Sequence, residues 1–279
     1  ASLSRMLENY SPERLQNAFT MVALAALFLG MVGLIRLEKR DFNYAADRRY
    51  NLGSVWHEVR SNRQVLTFFV YLVLMLAAVL GQDVLLDPFA ARAFGLPVEA
   101  TTRITSIWGV VYLVSLVVTG LLEDRVPKLT TARLASVLGM IAFGMVAASG
   151  FAGSQTLFYL GVILLGMATG PATVSNLSLM LDMTIPGKVG LFIGAWGSAN
   201  AFARLLGSLV TAIVRDLVQI LPNSELYGYA SAFIVLGAFL GVSLLILRRV
   251  NVQSFRTNSP SQYPTGNFIE RAALANDIG

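Results

Sequence analysis

The sequence contains no cysteine and a single histidine, His57, in 279 residues. The lack of cysteine excludes a disulfide framework, a thiol nucleophile and a Cys-ligated metal site, and one histidine cannot build a histidine-rich metal centre. Charged residues are also scarce, at 13% of the chain, against about 25% in soluble domains. The polar residues within the apolar segments form no nucleophile–base pair and no phosphate-binding loop. We therefore predict that the protein has no catalytic residue and no metal site. It is not expected to be an enzyme.

Apolar residues, by contrast, are abundant and make up 55% of the chain. They form long runs, and a helix of about 18 or more apolar residues can cross the roughly 30 Å hydrocarbon layer of a bilayer. The fold class that this pattern predicts is an all-α integral membrane protein with seven spans. The predicted spans are 15–37, 65–86, 104–122, 134–151, 157–183, 189–217 and 227–247.

The distribution of basic residues predicts the orientation of these spans. If the long basic connector between the first two spans is cytoplasmic, most of the 21 Lys and Arg residues fall on the cytoplasmic side. The positive-inside rule then places the C-terminus in the cytoplasm. It also explains the net charge of +5 without a nucleic-acid partner. Residues 1–64 form a first helix plus connector, 65–250 a six-helix bundle, and 251–279 a flexible tail.

Small residues recur at helical spacing in the sixth span, at Gly190, Gly194, Gly197, Ala201 and Gly207. Such a stripe lets another helix approach closely inside a bilayer. We expect this face to pack against neighbouring helices. In the fifth span, the Gly170-Pro171 pair predicts an interruption with a kink, because proline lacks the backbone N–H of a helical hydrogen bond.

Charged and amide side chains within the spans are the candidate binding residues. At about 1.5 Å per residue, Arg204 lies roughly 22 Å and Asp83 roughly 27 Å from the cytoplasmic edge. An arginine at this depth needs a counter-charge, water or the bundle interior. One hypothesis is an Asp83–Arg204 ion pair flanked by Gln82 and Asn200. The alternative is that each charge is satisfied separately by backbone or water.

Asn176 follows the Gly170-Pro171 pair, where carbonyl groups freed by the proline need partners. It can serve as an interhelical hydrogen-bonding group or as a ligand contact. The candidate pigment- or substrate-binding set is therefore Gln82, Asp83, Asn176, Asn200 and Arg204.

The loop after the third span reads GLLEDRVPK from Gly120 to Lys128. It resembles the G-x-L-x-D-R-x-x-R/K signature of the major facilitator superfamily, which follows the second helix of each six-helix half. The resemblance implies that 65–250 is the C-terminal six-helix half of such a bundle, preceded by one additional helix. Gly120, Asp124, Arg125 and Lys128 would then form a gating or structural loop, with Arg125 and Lys128 at the headgroups.

Three longer stretches narrow the resemblance. YSPERL at 10–15, GQDVLLDPFAARAFGLPVEATTRITSIWG at 81–109 and LMLDMTIPGKVGLFIGAWGSANAFARLLG at 179–207 are similar to the bacteriochlorophyll-delivery (PucC-like) branch, whose members assemble light-harvesting complexes. Members of that branch have twelve spans, so this chain is either part of a longer protein or a half-size relative.

The resemblance implies a light-harvesting complex assembly factor in a photosynthetic membrane, thylakoid or intracytoplasmic. Its cargo would be chlorophyll or bacteriochlorophyll, held transiently and with no other cofactor. Its partners would be light-harvesting or photosystem polypeptides and membrane lipids. Two alternatives remain open: a secondary transporter of a small solute, and a structural subunit packed against a pigment–protein complex.

Overall fold

The computed structural model describes residues 12–34, 63–123, 125–184, 189–220 and 224–250. Within these ranges the chain is helical and contains no strand. The helices are α1 (Pro12–Leu34), α2 (Arg63–Gly81), α3 (Leu86–Phe94), α4 (Val98–Leu122), α5 (Lys128–Ala152), α6 (Gln155–Asp182), α7 (Val189–Gln219) and α8 (Glu225–Leu247), with a 3-10 turn at Gln82–Val84. Nearly all of the basic connector and the whole tail 251–279 lie outside the described residues.

Five segments in these ranges are long and apolar enough to cross a membrane: Arg63–Val84, Arg103–Leu122, Lys128–Ala152, Gln155–Asp182 and Glu225–Leu247. This supports an integral membrane protein. The first predicted span corresponds to α1, whose apolar part Phe19–Val32 is shorter. The sixth corresponds to α7, a continuous 31-residue helix that is not among the five. The count of seven spans and the major-facilitator arrangement therefore stay predictions.

The bundle is organised around α8, which packs against α2, α5 and α7. Helix α6 packs against α5 and α4, so α4 lies at one side of the bundle. The short helix α3 inserts Phe89 among the rings of Phe158, Tyr229 and Phe233, with centroid distances of 5.3–6.0 Å. Helix α3 ends at Gly95, whose φ of 63° is a left-handed conformation that glycine adopts without strain.

The second predicted span, 65–86, corresponds to the apolar segment Arg63–Val84. Within this segment α2 ends at Gly81, and the chain continues through the 3-10 turn into α3, which the sequence did not predict. Gly81 lies directly against Gly207 of α7, because a Cβ atom built on Gly81 would be 3.1 Å from the Gly207 Cα. The Gln82–Val84 turn therefore directly follows a close contact between α2 and α7.

The prediction that the glycine face of α7 packs against neighbouring helices is largely wrong. Gly207 does pack tightly, but Gly190, Gly194 and Gly197 have open space beside them, and Ala201 is exposed. The buried face instead carries Ala195, Ala199, Ala203, Gly207 and Thr211. Both faces consist of small residues at helical spacing, so the sequence offered two candidate interfaces. The alanine face is the one that meets the bundle.

The fifth predicted span is a single helix and is not divided at Gly170-Pro171, whereas the kink that we expect there stays a prediction. Helix α6 runs through Pro171 without a break. The carbonyl that Pro171 leaves without its intrahelical donor is that of Met167, and Ser115 Oγ of α4 donates to it at 3.0 Å. Gly170 lets α4 come close enough for this bond, since a Cβ atom there would lie 2.6 Å from the Leu116 backbone nitrogen.

Candidate functional site

A cavity of about 520 Å³ opens between α2, α4, α6 and α7. We call it the main cavity. Four of the five predicted binding residues line it: Asp83, Asn176, Asn200 and Arg204. Its volume lies in the range of about 300–1,000 Å³ that is typical of small-molecule sites. The structure thus brings together residues that are far apart in the chain.

The Asp83–Arg204 ion pair is present. Arg204 Nη2 lies 3.5 Å from Asp83 Oδ2, and the two side chains are 61% and 39% exposed. The close contact of α2 and α7 at Gly81 and Gly207 positions both residues, since each follows or precedes its glycine within one helical turn. Because the pair faces an open cavity, its charges remain accessible to a bound molecule.

Asn176 joins two helices. The Tyr71 hydroxyl of α2 donates to Asn176 Oδ1 at 2.7 Å, and Asn176 Nδ2 contacts Met75 Sδ at 3.2 Å. Asn176 is buried, as expected for a group that holds helices together by hydrogen bonding. The interhelical role that we considered for Asn176 is therefore present. Its binding role stays a prediction.

Asn200 is less fully engaged. Its Nδ2 donates to the carbonyl of Trp196 on the same helix at 3.0 Å. In the described part of the chain no hydrogen bond is formed by its Oδ1. A neutral amide oxygen that faces a cavity can accept a hydrogen bond or approach a hard metal ion. Asn200 is therefore a better candidate for ligand contact than Asn176.

Aromatic residues outside the predicted binding set form one wall of the main cavity. Trp108 and Tyr112 of α4 stack with ring centroids 5.4 Å apart and planes 9° apart, and Trp196 of α7 also lines the cavity. The indole N–H groups of Trp108 and Trp196 are buried and have no hydrogen-bond partner among the described residues. The signal for this wall was the i, i+4 spacing of Trp108 and Tyr112.

Beside the main cavity lies a smaller one of about 240 Å³, which we call the side pocket. Gln82, Asp83, Asp87, Thr105 and Trp108 line it, together with two apolar residues. It contains the fifth predicted residue, Gln82. Burial, and secondly the negative charge of Asp83, raise the pKa of the Asp87 carboxyl above its usual value of 3.8. Asp83 belongs to both cavities and connects them.

The loop that resembles the major-facilitator signature lies near the C-terminal end of α6. Lys128 Nζ is 2.9 Å from Asp182 Oδ2 and 3.8 Å from Glu123 Oε1, and Ser178 donates to Glu123. Gly120 and Arg125 are exposed, whereas Asp124 lies outside the described residues. Lys128, which we had expected at the headgroups, has two acidic partners that tie the loop to the end of α6.

The described residues contain no cluster of three or more His, Cys, Asp or Glu side chains suited to a metal ion. The arrangement of the main cavity supports binding. It offers aromatic faces for a flat apolar molecule, an amide oxygen for a polar group, and an ion pair.

Comparison with known protein families identifies the chain. The family model described as "PUCC protein" matches residues 1–255. The chain belongs to the PucC family. This confirms the narrower of the two resemblances found in the sequence, and it makes the chain one of a family with members in photosynthetic bacteria.

Individual PucC-family relatives are distant. "Protein PucC" of Cereibacter sphaeroides is 24% identical over 249 residues, which cover 87% of this chain and 54% of that protein. "Bacteriochlorophyll synthase 44.5 kDa chain" of Rhodobacter capsulatus is 26% identical, covering 81% and 55%. A protein of the puhA-bchM intergenic region of Rhodobacter capsulatus is 29% identical, covering 60% and 37%. The chain spans about half the length of the curated relatives it matches.

Proposed function

We propose that this protein is an assembly factor of a photosynthetic membrane, which binds chlorophyll or bacteriochlorophyll and delivers it to light-harvesting or photosystem polypeptides. The observation that carries the proposal is the aromatic wall of the main cavity in a chain of the PucC family. One relative is named as a bacteriochlorophyll synthase chain, which supports a tetrapyrrole as the cargo. The membrane would be a thylakoid or an intracytoplasmic membrane, with the C-terminus of the chain in the cytoplasm.

The chemistry of the main cavity fits a tetrapyrrole. A flat macrocycle can stack on Trp108, Tyr112 or Trp196, and each aromatic pair contributes about 0.5–1.5 kcal/mol beyond area burial. A central magnesium ion prefers oxygen ligands, and Asn200 Oδ1 is a neutral oxygen within the cavity. A single amide ligand binds weakly enough for the pigment to be released.

The exposed glycine face of α7 supports a further proposal, that a second half of the protein packs against this side of the bundle. The exposed glycines of α7 lie on the same face as Arg204, beside the opening of the main cavity. Longer relatives contain about as much chain again as the part that matches. We expect that extra part to form a second half that faces this side, as in a major-facilitator bundle. The main cavity would then be central.

A solute transporter is the second candidate, and the Asp83–Arg204 pair favours it. Ionisable residues that face a cavity inside a membrane commonly mark the path of a solute or ion. A structural subunit that keeps its pigment permanently is the third possibility. Its pigment would remain bound in a fixed stoichiometric amount, whereas a delivery protein exchanges it.

The test is a pigment-binding measurement on the purified full chain in detergent micelles. Titration with bacteriochlorophyll a, followed by absorbance, should show saturable binding. Trp196→Leu should weaken binding about tenfold, because one stacking contact is lost. Phe202→Leu is the matched control, since Phe202 lies on the same helix but is exposed outside the cavity. Pigment should also transfer to an added light-harvesting polypeptide.

Other outcomes distinguish the alternatives. If the Trp196→Leu and Phe202→Leu variants bind bacteriochlorophyll a with equal affinity, the pigment binds outside the main cavity. Pigment that does not exchange during prolonged incubation with acceptor indicates a structural subunit. A protein that binds no pigment but drives solute uptake into vesicles indicates a transporter.

A further inference from the structure

The side pocket lies where a helix is interrupted within an apolar segment. Helix α2 ends at Gly81, and the chain forms a 3-10 turn before α3 begins at Leu86. The C-terminal end of a helix carries partial negative charge from carbonyl groups without intrahelical donors. In transporters, the C-terminal ends of discontinuous helices coordinate small cations. The pocket also borders the first turn of α3, in which Asp87 lies, and the N-terminal end of a helix favours anions. The side chains around the pocket must therefore supply most of the attraction for a cation.

The side chains around the pocket offer oxygen atoms. Asp83 and Asp87 contribute carboxylates, Gln82 an amide and Thr105 a hydroxyl. None of these side chains provides nitrogen or sulfur as a metal ligand, and oxygen-only sets suit hard cations. Since the described residues hold no cluster of three acidic or histidine side chains, a cation here would rely on Gln82 and Thr105 in addition to the two carboxylates.

The orientation of the Gln82 side chain leaves its oxygen unsatisfied. Gln82 is 1% exposed, and its Nε2 donates to Asp83 Oδ1 at 3.2 Å. Because an ionised carboxylate only accepts hydrogen bonds, the amide nitrogen must be the atom that faces Asp83. Gln82 Oε1 is then buried with no hydrogen-bond partner among the described residues. A buried, unpartnered carbonyl oxygen is costly unless something fills its coordination.

The charges around the side pocket indicate the charge of a cation that could bind there. Two carboxylates, Asp83 and Asp87, lie against one guanidinium, that of Arg204. One net negative charge remains when both carboxylates are ionised. A monovalent cation neutralises this charge, whereas a divalent cation would leave an excess positive charge in a partly buried site.

We propose that the side pocket is a binding site for a small, hard monovalent cation, for which Na⁺ is the probe. Gln82 Oε1, Asp87 and Thr105 are its ligands, together with Asp83 on the side away from Arg204. The site goes beyond pigment binding, because its argument uses none of the aromatic residues of the main cavity as ligands. It nevertheless connects to that cavity, since Asp83 belongs to both.

The connection has a functional consequence. A cation bound beside Asp83 competes with Arg204 for the same carboxylate. Occupancy of the side pocket therefore weakens the Asp83–Arg204 pair and leaves the guanidinium freer to interact with a molecule in the main cavity. By linkage, a ligand that engages Arg204 also strengthens cation binding by the same factor.

Thermal unfolding of the purified full chain in detergent micelles tests the proposal. The melting temperature is measured in NaCl and in choline chloride at the same ionic strength, so that general screening cancels. It should rise with NaCl concentration in a saturable way, as expected for a ligand that binds the folded state alone. Asp87→Asn and Gln82→Leu should each weaken the apparent Na⁺ affinity at least about tenfold.

The control variant is Asp216→Asn, which makes the same substitution at an exposed aspartate paired with Arg215. It should keep the full sodium response. Equal melting temperatures of the wild-type chain in the two salts would overturn the proposal, and so would a full sodium response in Asp87→Asn. If Asp87→Asn does not fold, Thr105→Val and the wild-type comparison decide the question.

Discussion

The Ser115 hydroxyl of α4 donates a hydrogen bond to the Met167 carbonyl of α6 across 3.0 Å. Met167 is the residue whose carbonyl would accept from position 171 in an unbroken helix, and proline at that position has no N–H to donate. A neighbouring helix thus supplies the donor that the helix itself lacks. Inside a bilayer no water can act as the donor. The Ser115 hydroxyl therefore replaces the missing N–H of residue 171 as the partner of the Met167 carbonyl.

We expect Ser115→Ala to destabilise the protein by about 1 kcal/mol, because the Met167 carbonyl then loses its donor. In a Pro171→Ala background, the helix regains its own N–H and the same substitution should have almost no effect. A double-mutant cycle of unfolding free energies in detergent measures the difference. The same loss in both backgrounds would contradict the assignment.

Two glycines of α7 should respond in opposite ways to alanine. Gly207→Ala places a methyl group against Ala77 and the Gly81 backbone, and we expect it to destabilise the protein by about 1–3 kcal/mol. Gly197→Ala meets no atom within 4 Å, so it should be neutral or stabilising by up to about 1 kcal/mol through helix propensity. Melting temperatures of the two variants provide the comparison. Equal destabilisation would show that the exposed glycine face is covered in the protein as purified.

Asp83→Asn and Arg204→Gln should each lower stability, whereas the charge-swapped double variant should recover part of the loss. The pair is partly exposed, so its coupling energy should be small, about 0.5–1 kcal/mol. Thermal unfolding of wild type, the two single variants and the Asp83→Asn/Arg204→Gln double variant measures this energy. Strictly additive losses would show that the two charges act independently.

Acidification should stabilise the protein through Asp87. The folded protein holds the Asp87 proton more tightly than the unfolded chain, because burial and Asp83 raise its pKa above 3.8. The contribution of Asp87 to stability is therefore fully present below that value, and it is lost as pH rises through the raised pKa. Asp87→Asn should remove this component. The difference in melting temperature between wild type and variant, recorded against pH in sodium-free buffer, should shrink at low pH; a difference independent of pH would contradict it.

Much of the helical framework could be predicted from the sequence, because apolar runs of membrane-spanning length leave few alternatives. The predicted span 227–247 and helix α8 (Glu225–Leu247) nearly coincide. Helices α4 and α5 begin earlier than their apolar parts, after Pro97 and Pro127. Proline suits a helix start because the first N–H groups have no intrahelical partner.

The packing of those helices was harder to predict. Helix α7 has both a glycine face and an alanine face, and only the shape of the bundle decides between them. Helix α3 was missed because its nine residues give too short a pattern to separate from the end of a span. Depth along the helices was sufficient to pair Asp83 with Arg204. It carried no information on Tyr71, whose hydroxyl engages Asn176.

The contact of Gly81 with Gly207 has a consequence for biosynthesis. During translation α2 leaves the ribosome long before α7, and α4, α5 and α6 are made in between. Throughout that interval the nascent chain carries Asp83 without its guanidinium, and the groove for α7 is incomplete, because α8, the second helix that packs against α7, is made last. The Asp83 carboxyl group therefore gains its counter-charge only when α7 has been made, late in the synthesis of the bundle.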